Sequence, residues 1–185
     1  YRIGYGPSSS HTMGPRKAAE IFVGRTQEAA SYVVTLYGSL AATGRGHMTD
    51  VAILDVLKNA TIRWMPDVFL PYHPNGMKFE ALDTDGKVID SWTVYSVGGG
   101  ALEEDGKRGD ELPEIYHLNT MTEILRYCEE LGKSFWEYVE ECEGKEIWEY
   151  LHDVWQVMCE AIERGIDAEG VLPGPLHLAR KAASY

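Results

Sequence analysis

A chain of 185 residues with 44% apolar side chains is long enough for a domain with a real core. No run approaches the roughly 18 apolar residues of a helical membrane span. A net charge of −12 argues against nucleic acid, because a phosphate-tracking surface needs clustered Lys and Arg. The opening "YRIGYG" has no basic, apolar leader, so a soluble cytoplasmic protein with no membrane partner is expected. It does not begin with Met, and a few leading residues are expected to be missing. Cys128, Cys142 and Cys159 are far apart in helix-like sequence and read as free thiols rather than a metal set.

The pattern "PRKAAEIFVGRT" predicts a helix with Pro15 at its first position, where a missing N–H costs nothing. "SYVVTLY" is β-branched and aromatic, which predicts a strand over Ser31–Tyr37. Gly38, Gly44 and Gly46 break it. "HMTDVAILDVLK" predicts the next helix, with Thr49 or Asp50 as its cap. A Pro-rich loop leads to two strand-like runs joined by the hairpin signal Asp85-Gly86. An acidic loop, "EEDGKRGDE", follows. The last third is helical. Two capping boxes, Thr120…Glu123 and Ser134…Glu137, open helices that stop at Gly132 and Gly144. A third helix carries an apolar stripe of Ile147, Leu151, Val154, Trp155, Met158 and Ile162. Its Trp148 and Trp155 suit a core or an interface. Residues 171–185 read as a Pro/Gly connector. The expected fold class is α+β, a small mixed β-sheet packed with helices.

Four stretches could do chemistry. "GPSSSHTMGP" crowds Ser8, Ser9, Ser10, His11 and Thr12 before a helix start, where free N–H groups attract a carboxylate or phosphate; Ser10 or Thr12 could equally cap that helix. It lacks P-loop spacing. His47 in "YGSLAATGRGHMTD" stands before a helix N-terminus, whose positive end favours neutral imidazole. "PYHPNGM" offers His73 and Asn75, and "YSVGGG" offers the backbone of Gly98, Gly99 and Gly100. A Ser-His hydrolase is disfavoured, because Ser10 and His11 are mere sequence neighbours with no orienting acid.

In combination these blocks, with "VWQVMCEAIERG…EGVLPGPL", resemble the β domain of iron–sulfur L-serine dehydratases from one end of the chain to the other. The resemblance implies deamination of L-serine to pyruvate and ammonia. It implies a [4Fe-4S] cluster held by a second, α domain or subunit, with no cofactor and no metal bound by this chain alone. By the same resemblance residues 1–185 form one β domain whose last residues lead toward the α domain. His47 is the expected general base and His11 its partner. Ser8, Ser9, Ser10 and Thr12 are expected to bind the carboxylate or order the loop. His73, Asn75 and Gly98–Gly100 complete the pocket. The resemblance further implies a fold similar to the allosteric substrate-binding domain of phosphoglycerate dehydrogenases, and a homodimer. The alternative is a regulatory domain that binds serine and dimerises without catalysing. Met48 stands where family members often have a second histidine. The stretches near Gln27-Glu28-Ala29 and between Leu57 and Trp64 look short for the family, as though residues there had been skipped.

Overall fold

Pro15 sits in the first turn of α1 (Gly14–Arg25), as its fixed φ and missing N–H favour. A five-residue π turn, Ser9–Met13, leads directly into this helix. The computed structural model describes residues 2–105, 114–172 and 176–184. The chain divides into two units, one of Tyr1–Gly109 with Ala168–Tyr185 and one of Asp110–Asp167.

In the first unit, β1 (Ser31–Tyr37) follows α1, as its β-branched run predicts. Two short helices, α2 (Gly38–Thr43) and α3 (Thr49–Val56), then carry the chain to β2 (Ala60–Met65), parallel to β1. The hairpin at Asp85-Gly86 joins β3 (Gly76–Leu82) to β4 (Val88–Gly98), and β5 (Ala101–Glu103) completes the sheet. The strand order is β2-β1-β3-β4-β5, mixed, so the α+β class holds.

The register aligns Val34 with Phe79, Leu36 with Met77, Phe79 with Trp92 and Met77 with Val94. These residues meet Ala18, Ala19 and Phe22 of α1, Leu40 of α2, and Ile53 and Leu57 at α3, in one buried core. β1 is buried from Tyr32 to Leu36 and is paired on both edges.

Several local expectations are corrected. The run after Gly38 is a helix, not a break, although Gly38 enters it with φ +49°. The cap of α3 is neither Thr49 nor Asp50. Met48 takes that place in the left-handed region at φ 56°, and the Thr49 side chain is used elsewhere. β2 and β5 are additional strands. The two stretches that look short for the family are not among these corrections; they hold turns with Ala29 N–H on Thr26 O (3.1 Å) and Ala60 N–H on Leu57 O (3.1 Å). From residue 106 onward the expected acidic loop lies outside the described residues.

The second unit holds α4 (Met121–Leu131), α5 (Phe135–Glu143) and α6 (Ile147–Asp167). Both capping boxes are formed: Thr120 N–H donates to Glu123 Oε2 at 3.0 Å and Ser134 N–H to Glu137 Oε2 at 2.8 Å. Gly132 ends α4 at φ 61°, with Lys133 N–H returning to Cys128 O. Among the described residues of these helices only Cys128 and Tyr138 are buried. Along the α6 stripe Ile147, Leu151 and Val154 are half-buried while Trp155, Met158 and Ile162 are exposed, Trp155 at 56%, so Trp155 belongs to no core here. Cys128, Cys142 and Cys159 are all free thiols. No helix among the described residues is long and apolar enough to cross a membrane.

The connector belongs to the first unit and closes on itself. Leu172 N–H donates to Leu178 O at 2.7 Å and Arg180 N–H to Gly170 O at 2.8 Å.

Candidate active site

Pro15 shapes the site from its base. Its ring disfavours an α-helical turn four residues upstream, and the chain widens there into the π turn, with Met13 N–H on Ser8 O and Gly14 N–H on Ser9 O. Ser8, rather than Ser10 or Thr12, is the cap: its hydroxyl accepts from His11 N–H at 3.2 Å. Ser10 Oγ lies 2.9 Å from His11 Nδ1. Ser9 is exposed. Thr12 is buried, and its hydroxyl donates to the His47 carbonyl at 2.8 Å.

The turn between α2 and α3 brings the second imidazole to the first. The His11 and His47 ring centroids are 4.7 Å apart, tilted by 41°. His47 Nδ1 lies 2.9 Å from Thr43 O, so its ring engages the carbonyl end of α2 rather than the amide end of α3. A carbonyl only accepts. Nδ1 therefore carries the proton in that bond, and in the neutral ring Nε2 is the acceptor.

The other predicted residues close a ring of contacts around His11. The Ser39 backbone lies beside the His11 imidazole. Ser39 N–H donates to Pro74 O at 3.0 Å, which fixes the His73–Asn75 loop against α2. His73 Nδ1 accepts from Asn75 N–H at 3.1 Å. Asn75 Nδ2 donates to Ser96 O at 3.2 Å, and Ser96 N–H returns to Asn75 O at 3.0 Å. Ser96 touches Gly14, the residue that ends the π turn. Gly98, Gly99 and Gly100 form the β4–β5 turn at its edge, all at positive φ, with Arg2 Nη1 donating to Gly99 O at 3.1 Å. An apolar recess of about 260 Å³, lined by Pro7, Gly46, Met48, Leu172, Leu176 and Leu178 among others, flanks Ser8 and His47.

Three buried polar atoms in this ring have no hydrogen-bond partner: His11 Nε2, Asn75 Oδ1 and Ser96 Oγ. Native proteins rarely leave such groups unmatched, and a catalytic role, a bound water or an ion is among the reasons where they do. Burial lowers the His11 pKa below the ordinary imidazole value, the nearby His47 lowers it further, and the Ser39 backbone partly opposes them. Sequence reading passed over Ser39, Thr49 and Ser96. All three stand inside quoted blocks, but Ser96 read as strand and Thr49 as a cap.

A [4Fe-4S] cluster needs thiolate or similar ligands in a close set. Cys128, Cys142 and Cys159 all lie in the helical unit, and no group of three or more His, Cys, Asp or Glu side chains among the described residues is arranged to hold a metal ion. The residues described here do not fit that group.

With this geometry in hand, the relationships of the chain are informative. The family described as serine dehydratase beta chain matches residues 1–62 and 55–107, and this chain belongs to that family. It is 35% identical to L-serine dehydratase 1 of Escherichia coli (strain K12) over 236 aligned residues, which take in all of this chain and 52% of that protein. It is 34% identical to the L-serine dehydratase of Streptomyces coelicolor (strain ATCC BAA-471 / A3(2) / M145), again over all of this chain and 52% of that protein. With the L-serine dehydratase of Helicobacter pylori (strain ATCC 700392 / 26695) the identity is 28%, over all of this chain and 51% of that protein. The chain spans about half the length of the curated relatives it matches. The aligned stretches exceed its own 185 residues, so the relatives carry segments with no counterpart here. The two family matches overlap at residues 55–62, around the turn between α3 and β2.

Proposed function

We propose that this chain is the β half of an L-serine dehydratase, which converts L-serine to pyruvate and ammonia and is inactive without its other half. The observation that supports the reading is the imidazole pair at 4.7 Å, with His11 Nε2 buried and unmatched, in a member of this family.

The α-proton of serine is weakly acidic and needs a placed base. His47, with Nδ1–H engaged by Thr43 O, offers Nε2 for that proton. His11, held toward its neutral form, sits against it without adding a competing positive charge. Ser8, Ser9 and Ser10 line the side that receives the carboxylate, and Thr12 orders that loop. Asn75, steadied by the His73 ring, and the Gly98–Gly100 backbone close the opposite side. The departing hydroxyl takes up a proton and leaves as water; the aminoacrylate that remains tautomerises to an imine, and hydrolysis gives pyruvate and ammonia. In this reading an α domain or subunit outside this chain would hold a [4Fe-4S] cluster, which would supply the electrophile for the hydroxyl.

Co-expression with the half that the relatives carry in addition, under anaerobic conditions, tests the reading through pyruvate formation from L-serine. The change His47→Ala is expected to lower turnover by roughly 10²–10⁴-fold, the usual contribution of a placed base. A variant that keeps its maximal rate and changes only its serine dependence would make this a regulatory serine-binding, dimerising domain instead.

A further inference from the structure

Neither histidine's backbone carbonyl is met by the N–H four residues further along the chain. Pro15 has no N–H to offer the His11 carbonyl four residues earlier. The Val51 N–H, which stands four residues after His47, bonds Asp50 Oδ1 at 3.0 Å instead. Buried carbonyls require partners, and the two are matched crosswise. Thr12, next to His11, donates to His47 O at 2.8 Å. Thr49, two residues from His47, donates to His11 O. Both threonines are buried, at 1% and 0% exposure.

We infer that Thr12 and Thr49 form a reciprocal clasp that sets the spacing of the His11 and His47 imidazoles, with Thr49 a positioning residue for the base. Each hydroxyl ties one histidine-bearing segment to the main chain of the other, so neither segment shifts without straining a buried hydrogen bond. A methyl-bearing isostere of the same volume keeps the packing and removes the tie. The role in catalysis rests on the dehydratase reading; the clasp itself does not.

The test therefore has two arms. In the 185-residue chain, NMR cross-relaxation between the His11 and His47 ring protons is compared for the parent, Thr49→Val and Thr49→Ser. The valine variant is expected to lose the ring–ring signal with the core methyl spectrum unchanged, and the serine variant to keep it. A folded Thr49→Val with the parent's ring contact overturns the inference. If Thr49→Val does not fold, Thr12→Val and Thr12→Ser are read by the same criterion. Failure of both valine variants to fold overturns the positioning role, leaving a structural one. In the assembled enzyme, Thr49→Val is expected to lower kcat by about 10–100-fold with KM within about twofold, since a small misplacement of a base acts on the chemical step. Serine at 49 should restore most of it, and a loss that serine does not restore overturns the inference. An assembled parent without serine turnover would sink the dehydratase reading while leaving the NMR arm to decide the clasp.

Discussion

Gly14 and Ser96 touch with no room for a methyl group between them. A Cβ on Gly14 would lie 2.3 Å from Ser96 Oγ and 3.1 Å from Ser96 Cβ. Ser96 is fully buried, so its hydroxyl has little space to swing aside. Gly14→Ala is expected to destabilise the fold by about 1–3 kcal/mol, the usual cost of overpacking. Adding Ser96→Ala should recover part of that loss, because the two changes share one contact. Urea unfolding of the single and double variants measures both; an unaffected Gly14→Ala would show that the two elements are not pressed together.

Acid should weaken the fold through His11. Burial, and then His47, hold its folded pKa below the unfolded value, so the unfolded chain binds more protons across that interval. Stability then rises with pH through the interval and falls as pH drops below about 6.5, the ordinary imidazole value. Thermal melts between pH 5 and 8 should show this slope, and His11→Gln should flatten it. A slope that survives the substitution would assign the effect to another group.

Phe22 anchors α1 to the sheet. Its ring lies 5.5 Å from Phe79, 6.0 Å from Tyr32 and 6.4 Å from Trp92, the last nearly parallel. The Arg25 guanidinium sits 5.0 Å from both Phe22 and Trp92. Phe22→Ala is expected to cost about 3–5 kcal/mol, the range for a buried aromatic. Denaturant midpoints followed by tryptophan fluorescence would check it.

Thr120→Ala removes one half of a capping box and is expected to cost about 1 kcal/mol. The loss should appear as faster amide exchange in the first turn of α4, with the sheet unit unchanged. Uniformly faster exchange along the whole chain would contradict a local cap.

Elements governed by local chemistry were legible in the sequence. Ser31–Tyr37 is a strand because its β-branched residues favour one, Asp85-Gly86 is a hairpin turn, and both capping boxes form as spelled. Elements that depend on distant partners were not. β2 is an edge strand whose exposure alternates, and it exists because β1 lies beside it. α2 has six residues and begins at a glycine in the left-handed region, so no propensity announces it. The cap at Ser8 depends on the π turn, which follows from Pro15 but reads as an ordinary helix start. At the site, histidines and serines announce themselves by type. Thr49, Ser39 and Ser96 matter through where they touch the other segments, and spacing along a chain carries no record of that.

A π turn is an α-helix holding one surplus residue, and Ser9–Met13 is such a turn. Deleting either Ser9 or Ser10 would not return a regular helix, because Pro15 would still face the His11 carbonyl four residues upstream. It would rotate everything upstream of the deletion by about 100° and strip the imidazole's serine neighbour or the cap's spacing. The wide winding is thus dictated by the proline that follows it, and a shorter loop would forfeit the register of the histidine without gaining a straighter entry to the helix.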